Sequence, residues 1–559
     1  MTDRPITFDK GPRQKTTILE DLLDIDSRLL AQVARRMKLV QRAAKGRQVL
    51  SRDVEKQLWS AFDQVSRQQG LDPRLTRQLF ALLGSFGLEA PAQRRAADKP
   101  FTLVPRSEAA DMDLTGPRSR AQARLYAVLA AATDQNLRLS GVILSDPLIE
   151  LVKALNQCGA HLSWADDALE SASVGKPKDA FPLNFEEVLV FAGEDAFTLY
   201  ALIALALRDV GRSKFAGGPG LKSLDLKPLD ALLPQLGARL APMNPRTRGL
   251  PARLESGGGM AARIQLAPET PALFAQALAI AAWSYPDGLR VALSNDPRAA
   301  AAQAAALDDA VEVLNQCQVK ALRKGDEYVI PAGKPKLPKA PALPMDPLLS
   351  AYLLAIPAMA GGFARLTGEL VLPAQVLADF KTLGLAPSFE GGAAICRHAP
   401  LNAGLSLGMG RDPRCLPLAL ALALKAGGAK VALPGGAEGA AARAWALDLL
   451  DRLGAPYADQ EALGQNAAGE DVLVVTGGPQ AAWEGVWTAP DAWSAMGLAL
   501  MSFIRPGIAL DNPGGLAALW PRFWVLFNSL PIARDPAPAR KEPEKHDAKP
   551  KNRRVRVSG

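Results

Sequence analysis

The side chains able to do chemistry in this chain are mainly cations and carboxylates. His161, His398 and His546 lie far apart, which argues against both a histidine metal cluster and a Ser-His-Asp arrangement. Cys158, Cys317, Cys396 and Cys415 are too few and too scattered for a disulfide framework. No glycine-rich phosphate loop of the nucleotide-binding types is present. What remains suits phosphate and carboxylate groups, which Arg and Lys hold through charge-assisted hydrogen bonds. A run of Arg35, Arg36, Lys38, Arg42, Lys45 and Arg47 either grips an anion or forms a solvated helix face. Arg118 is either an anion ligand or a solvated turn residue. Asp346, just before Pro347, reads from its position as the N-cap of a helix running through Tyr352.

These residues must be positioned by more than one domain, because 559 residues exceed what a single core usually organises. Hydrophobic residues make up 48% and charged residues 22%, an ordinary balance for a globular protein. Apolar runs such as Leu199 to Leu207 and Leu416 to Leu424 fall short of the roughly 20 residues a membrane span needs, so no span is expected. The first residues lack the apolar stretch of a secretory signal, which makes a cytoplasmic location the expectation. The net charge of +8 is concentrated in the tail from Arg534, which carries nine Lys or Arg against four Asp or Glu. A nucleic-acid-binding face is therefore not expected, and residues 534–559 read as a disordered basic tail.

After a flexible stretch at 1–15, residues 16–89 read as a three-helix domain. Ile18, Leu22, Ile25, Leu29, Leu30, Val33, Met37 and Val40 recur at the spacing of one helix face, and Leu58, Phe62 and Val65 mark a second helix. Residues 90–111 are polar, contain proline and read as a linker. From 112 to 533 short apolar strands alternate with helices, giving an α/β region. Here a helix repeatedly ends on an apolar residue or cysteine, usually followed by glycine, at Cys158, Leu236, Cys317, Leu383 and Leu453. The intervals of 78, 81, 66 and 70 residues, with near-identical LNQCG and LNQCQ segments, indicate internal duplication.

In its order of motifs the 112–530 region resembles the enolpyruvyl transferases, the family of 3-phosphoshikimate 1-carboxyvinyltransferase (EPSP synthase). The segments that carry this are LTGPRSRAQARLYAVLAAATDQNLRLSGVILSDPLIELVKALNQCGAHLS, VLVFAGEDAFTLYALIALAL, GGPGLKSLDLKPLDALLPQLGA and PMDPLLSAYLLAIPAMAGGFARLTG. The resemblance implies a two-globule inverse α/β prism, the second globule spanning roughly 118–340, that joins phosphoenolpyruvate to shikimate 3-phosphate without a cofactor. Arg118 stands where the family has a Lys, Ser119 matches its Ser, Arg124 replaces its helix Arg with a slip of one residue, and Asp346 matches its catalytic Asp. Both Arg positions of the family's Pro-Arg-Met segment are gone, leaving Lys222 or Lys227 as the substitute. Other positions depart: the Asn-Ala-Gly-Thr-Ala-x-Arg loop becomes Glu194 to Tyr200, the phosphate-holding Ser-Ser-Gln becomes Thr270, Pro271 and Ala272, and the late Lys becomes Ala518. Most of the transferase's catalytic residues are thus missing.

Residues 16–88 resemble the all-helical chorismate mutases in LLDIDSRLLAQVARRMKLVQRAAKGRQVLSRDVEKQ and LDPRLTRQLFALL. The resemblance gives catalytic roles to Arg36, Arg47, Lys56 and Gln57 and a binding role to Asp53, and it implies a homodimer through this domain. Three functions follow as expectations: a divergent shikimate-pathway transferase acting on shikimate 3-phosphate and phosphoenolpyruvate; a non-catalytic regulator of aromatic amino-acid biosynthesis that binds a metabolite or a pathway enzyme; and a mutase acting on chorismate through the first domain alone.

Overall fold

The computed structural model describes residues 28, 29, 32, 33, 35, 36, 39, 52–69, 100–165, 167–173, 175, 181–186, 188–243, 249–257, 259–459 and 471–534. The chain divides into two compact units, Met1–Lys99 and Pro100–Gly559. In the first, the described residues between 28 and 39 are helical, and helix α1 spans Arg52–Gln68. Leu58 and Phe62, one turn apart, are half-buried, whereas Val65 is exposed, so the apolar stripe of α1 is narrower than its sequence predicts. Arg36 is helical and partial burial lowers its pKa. Asp53, Lys56 and Gln57 lie on α1, but their side chains, like the whole of Arg47, fall outside the described residues.

The second unit begins inside the stretch that reads as a linker. Phe101–Leu103 pairs antiparallel with Ile508–Leu510, and Ala110–Thr115 pairs parallel with Gly362–Thr367. Leu103, Ala110 and Met112 are buried, which explains why this short polar-looking segment is structured: its apolar positions are supplied with distant partner strands.

The helices of this unit are α2 (Arg120–Thr133), α3 (Asp146–Gln157), α4 (Ala196–Ala206), α5 (Pro219–Ser223), α6 (Ala272–Ala281) and α7 (Pro297–Gln316). They continue with α8 (Pro347–Ala360), α9 (Ala374–Leu383), α10 (Leu416–Lys425), α11 (Gly436–Leu453), α12 (Ala492–Met501) and α13 (Phe523–Ser529). Buried apolar residues form two clusters. One runs from Ala123 to Leu343, and the other joins Leu103, Ala110 and Met112 to residues 345–533. Helices α4, α6, α8, α10 and α12 are apolar all round and almost wholly buried, as a helix must be when it packs inside a layer of sheets rather than on the surface.

Four sheets share one topology. In each, one strand lies parallel to a second, which pairs antiparallel with the last strand of a hairpin; in the fourth set below, the first strand, Ala110–Thr115, also pairs parallel with Ile532–Arg534 in a five-stranded sheet. The sets are Leu189–Phe191, Gly211–Ala216, Ala252–Ser256 and Ala238–Pro242; Arg263–Gln265, Leu289–Ala292, Glu327–Ile330 and Leu322–Lys324; Leu405–Leu407, Ala429–Ala432, Val472–Val475 and Tyr457–Asp459; and Ala110–Thr115, Gly362–Thr367, Ala393–Arg397 and Ser388–Glu390. A three-stranded sheet of Leu137–Ser140, Ala168–Ser171 and Leu162–Ala165 keeps the hairpin half of the pattern.

The duplicated punctuation has a backbone cause. At four of the five helix ends the next residue is a glycine with positive φ: 96° at Gly159, 68° at Gly237, 88° at Gly384 and 58° at Gly454. The fifth, after α7, is Gln318 at φ 64°, where a side chain occupies the left-handed region. Gln318 is exposed, so Gln318→Gly removes strain and forfeits little contact. The variant is expected to gain about 0.5–1 kcal/mol, read as a higher urea midpoint at unchanged slope. Among the described residues no helix is long and apolar enough to cross a membrane.

Candidate functional site

The two cores are joined by two crossovers. The outgoing one, Gly116 to Ser119, leads into α2, and the returning one, Leu343 to Asp346, leads into α8. They are zipped together: Ser119 N donates to Pro344 O at 2.8 Å, Asp346 N donates to Pro117 O at 2.6 Å, and Arg118 forms an antiparallel bridge with Met345. Each crossover ends in a side-chain cap that the sequence makes possible. Ser119 Oγ accepts from Gln122 N at 3.2 Å, and Asp346 Oδ1 accepts from Leu349 N at 3.1 Å ahead of Pro347.

The other oxygen of Asp346 accepts from Arg120 Nε at 3.1 Å, and the Arg120 guanidinium lies 5.4 Å from the centroid of Trp493. Both oxygens of the candidate proton-transfer carboxylate are therefore engaged, one as a helix cap and one in an ion pair. Arg118 takes a different course: its Nη1 donates to Leu343 O at 3.3 Å.

One turn beyond Arg120, Arg124 is held by Asp195, with Nη1 3.5 Å from Oδ1 and the guanidinium 4.6 Å from the centroid of Phe197. Burial lowers the Arg124 pKa and Asp195 opposes that shift. Its Nε is buried without a hydrogen-bond partner. Asp195 also caps α4, where Oδ2 accepts from Thr198 N and from Thr198 Oγ1, both at 2.9 Å. Its neighbour Glu194 accepts from Gly220 N at 2.6 Å at the start of α5, and Glu194 N donates to Glu150 at 2.9 Å. Burial raises the Glu150 pKa, and the charges of Asp195 and Glu194 add to the rise.

The loop at Glu194 and Asp195 is thus a cluster of carboxylates already bound to the chain's own donors. The pattern extends beyond it. Asp296 and Asp491 cap α7 and α12 by accepting from Ala299 N at 2.8 Å and Ser494 N at 2.7 Å. The positive ends of four helices, α4, α7, α8 and α12, each carry an internal carboxylate where an external anion is otherwise favoured.

Of the expected site residues, the structure brings Arg118, Ser119 and Asp346 to the crossovers and sets Arg124 against Asp195. Lys222 is exposed in the last turn of α5. Thr270 is buried and accepts from Ala267 N at 3.2 Å, an internal turn contact. Sequence reasoning missed Arg120 and the pairing role of Asp195. The spacing of Arg120 and Arg124, four residues apart on one helix face, is the signal that marks both. It also missed Asp309 on α7, whose pKa burial raises to about 6, with help from Glu312 and Asp308. No group of three or more metal-ligating side chains occurs among the described residues.

The chain matches no family model. It is 29% identical over 126 residues to the 3-phosphoshikimate 1-carboxyvinyltransferase of Syntrophobacter fumaroxidans, a match spanning 22% of this chain and 29% of that protein. An EPSP synthase from Acinetobacter baumannii superimposes with a TM-score of 0.61 at 16% identity, over 77% of this chain and 98% of that one. The enolpyruvyl transferase NikO from Streptomyces tendae does so with a TM-score of 0.57 at 15% identity, over 76% and 95%. The chain therefore has the fold of the enolpyruvyl transferases.

Proposed function

We propose that this chain is a shikimate-pathway protein descended from the 3-phosphoshikimate 1-carboxyvinyltransferases. It no longer joins phosphoenolpyruvate to shikimate 3-phosphate, and it serves as a metabolite- or partner-binding regulator of aromatic amino-acid biosynthesis. The ancestry is supported by the near-complete coverage of EPSP synthase structures and by the curated sequence match. The loss of turnover is supported by one observation above all: Arg120 and Arg124 are already paired with Asp346 and Asp195.

Carboxyvinyl transfer brings two polyanions together and must neutralise both with positioned cations. A carboxylate tethered a few ångströms from its guanidinium competes at an effective concentration that a dissolved substrate does not match. Admitting the substrate also means expelling Asp195 or Asp346 from a largely buried pair and uncapping α4 or α8. Arg120 and Arg124 are thereby spent on holding the fold, and Glu194 adds a charge that repels an incoming anion.

The experiment is direct. Purified full-length chain is supplied with shikimate 3-phosphate and phosphoenolpyruvate, and phosphate release is followed. No release above an Arg118→Ala control is expected. Steady turnover that disappears in Arg118→Ala identifies a working transferase and overturns the reading.

A further inference from the structure

A cavity of about 700 Å³ opens beside the zipped crossovers and is separate from the acidic loop. Its walls are mainly apolar, with Val142 from the first core, Trp520 packed against the second, and the exposed Val525. Two cations line it, Arg118 on the outgoing crossover and Arg522 at the start of α13, and Asp167 is its carboxylate. Among the described residues neither Arg118 nor Arg522 has a carboxylate partner, in contrast to Arg120 and Arg124. Arg118 and Arg522 thus both line an apolar pocket that carries one net positive charge. A volume of this order suits a small organic ligand, and apolar walls with a few convergent polar groups are what such ligands require.

We propose that this cavity binds a small apolar monocarboxylate about the size of one substituted aromatic ring. The carboxylate sits on Arg118 and Arg522, and the ring lies against Trp520, Val142 and Val525. A dianion is disfavoured by Asp167, and a neutral ring forgoes the two guanidinium groups. Because Arg118 belongs to the crossover and Arg522 to the second core, the occupant links the two, making this a position from which a ligand can bias the arrangement of the cores. The site uses neither Asp346 nor Asp195, so its failure leaves the proposed function intact.

The probe is 3-phenylpropionate, titrated into full-length chain by calorimetry with tryptophan fluorescence as a second readout. Saturable binding with a Kd below about 1 mM is expected, and 3-phenylpropanol, which keeps the ring and lacks the charge, should bind at least about tenfold more weakly. Arg522→Ala should weaken binding about tenfold. Val525→Trp, which fills the cavity from an exposed position, should abolish binding without changing the unfolding midpoint. Equal affinity for acid and alcohol, binding that survives either variant undiminished, or no saturation by about 10 mM overturns the proposal.

Discussion

Asp346→Ala is expected to destabilise the chain by about 3 kcal/mol, roughly 1 from the lost α8 cap and the remainder from an Arg120 guanidinium left without its partner. The second contribution is substantial because the pair is sheltered, with side-chain exposures of 25% for Arg120 and 8% for Asp346. Asp346→Asn keeps an oxygen to accept from Leu349 N and removes only the charge, so it should cost about 1–2 kcal/mol. Arg120→Ala should fall near the same value, because it leaves the cap in place. Urea unfolding of the three variants checks this order. An Asp346→Ala protein as stable as the parent would mean that the residue is not a structural element of the crossover.

Asp195→Ala should behave similarly, and it offers a second readout. The variant removes the α4 cap and strands the buried Arg124, at an expected cost of about 3 kcal/mol. It also leaves a space shaped for a carboxylate beside a guanidinium. Formate should therefore restore part of the lost stability in Asp195→Ala and leave the parent unaffected, since a ligand that binds only the native state stabilises in proportion to ln(1 + [L]/Kd). A thermal-unfolding series in formate, with chloride at matched ionic strength as control, makes the measurement. Equal shifts in both proteins would show that Arg124 does not depend on Asp195.

Much of the fold is legible in the sequence because it is repetitive and locally encoded. Helix ends at Cys158, Leu236, Leu383 and Leu453 are written by the glycine that follows each, and Gln318 shows the position persisting where glycine is absent. The strands Phe101–Leu103 and Ala110–Thr115 are not legible, because their partners, Ile508–Leu510 and Gly362–Thr367, lie hundreds of residues away. The same division holds at the site. The capping role of Asp346 follows from Asp-Pro before an apolar run, a local signal. The pairing of Arg124 with Asp195 depends on how α2 and α4 pack, which no local pattern reports. The cations themselves stand in the sequence, but which carboxylates hold Arg120 and Arg124 needed the fold.

The account rests on the claim that the chain's own carboxylates hold the cations a transferase would offer its substrate. Calorimetric titration of the purified full-length chain with shikimate 3-phosphate tests this most directly. The expected result is no saturable binding stronger than about 1 mM, the level at which a single exposed cation contributes little. A Kd in the micromolar range, lost in Arg124→Ala, would contradict it by showing that Arg124 leaves Asp195 to receive the substrate.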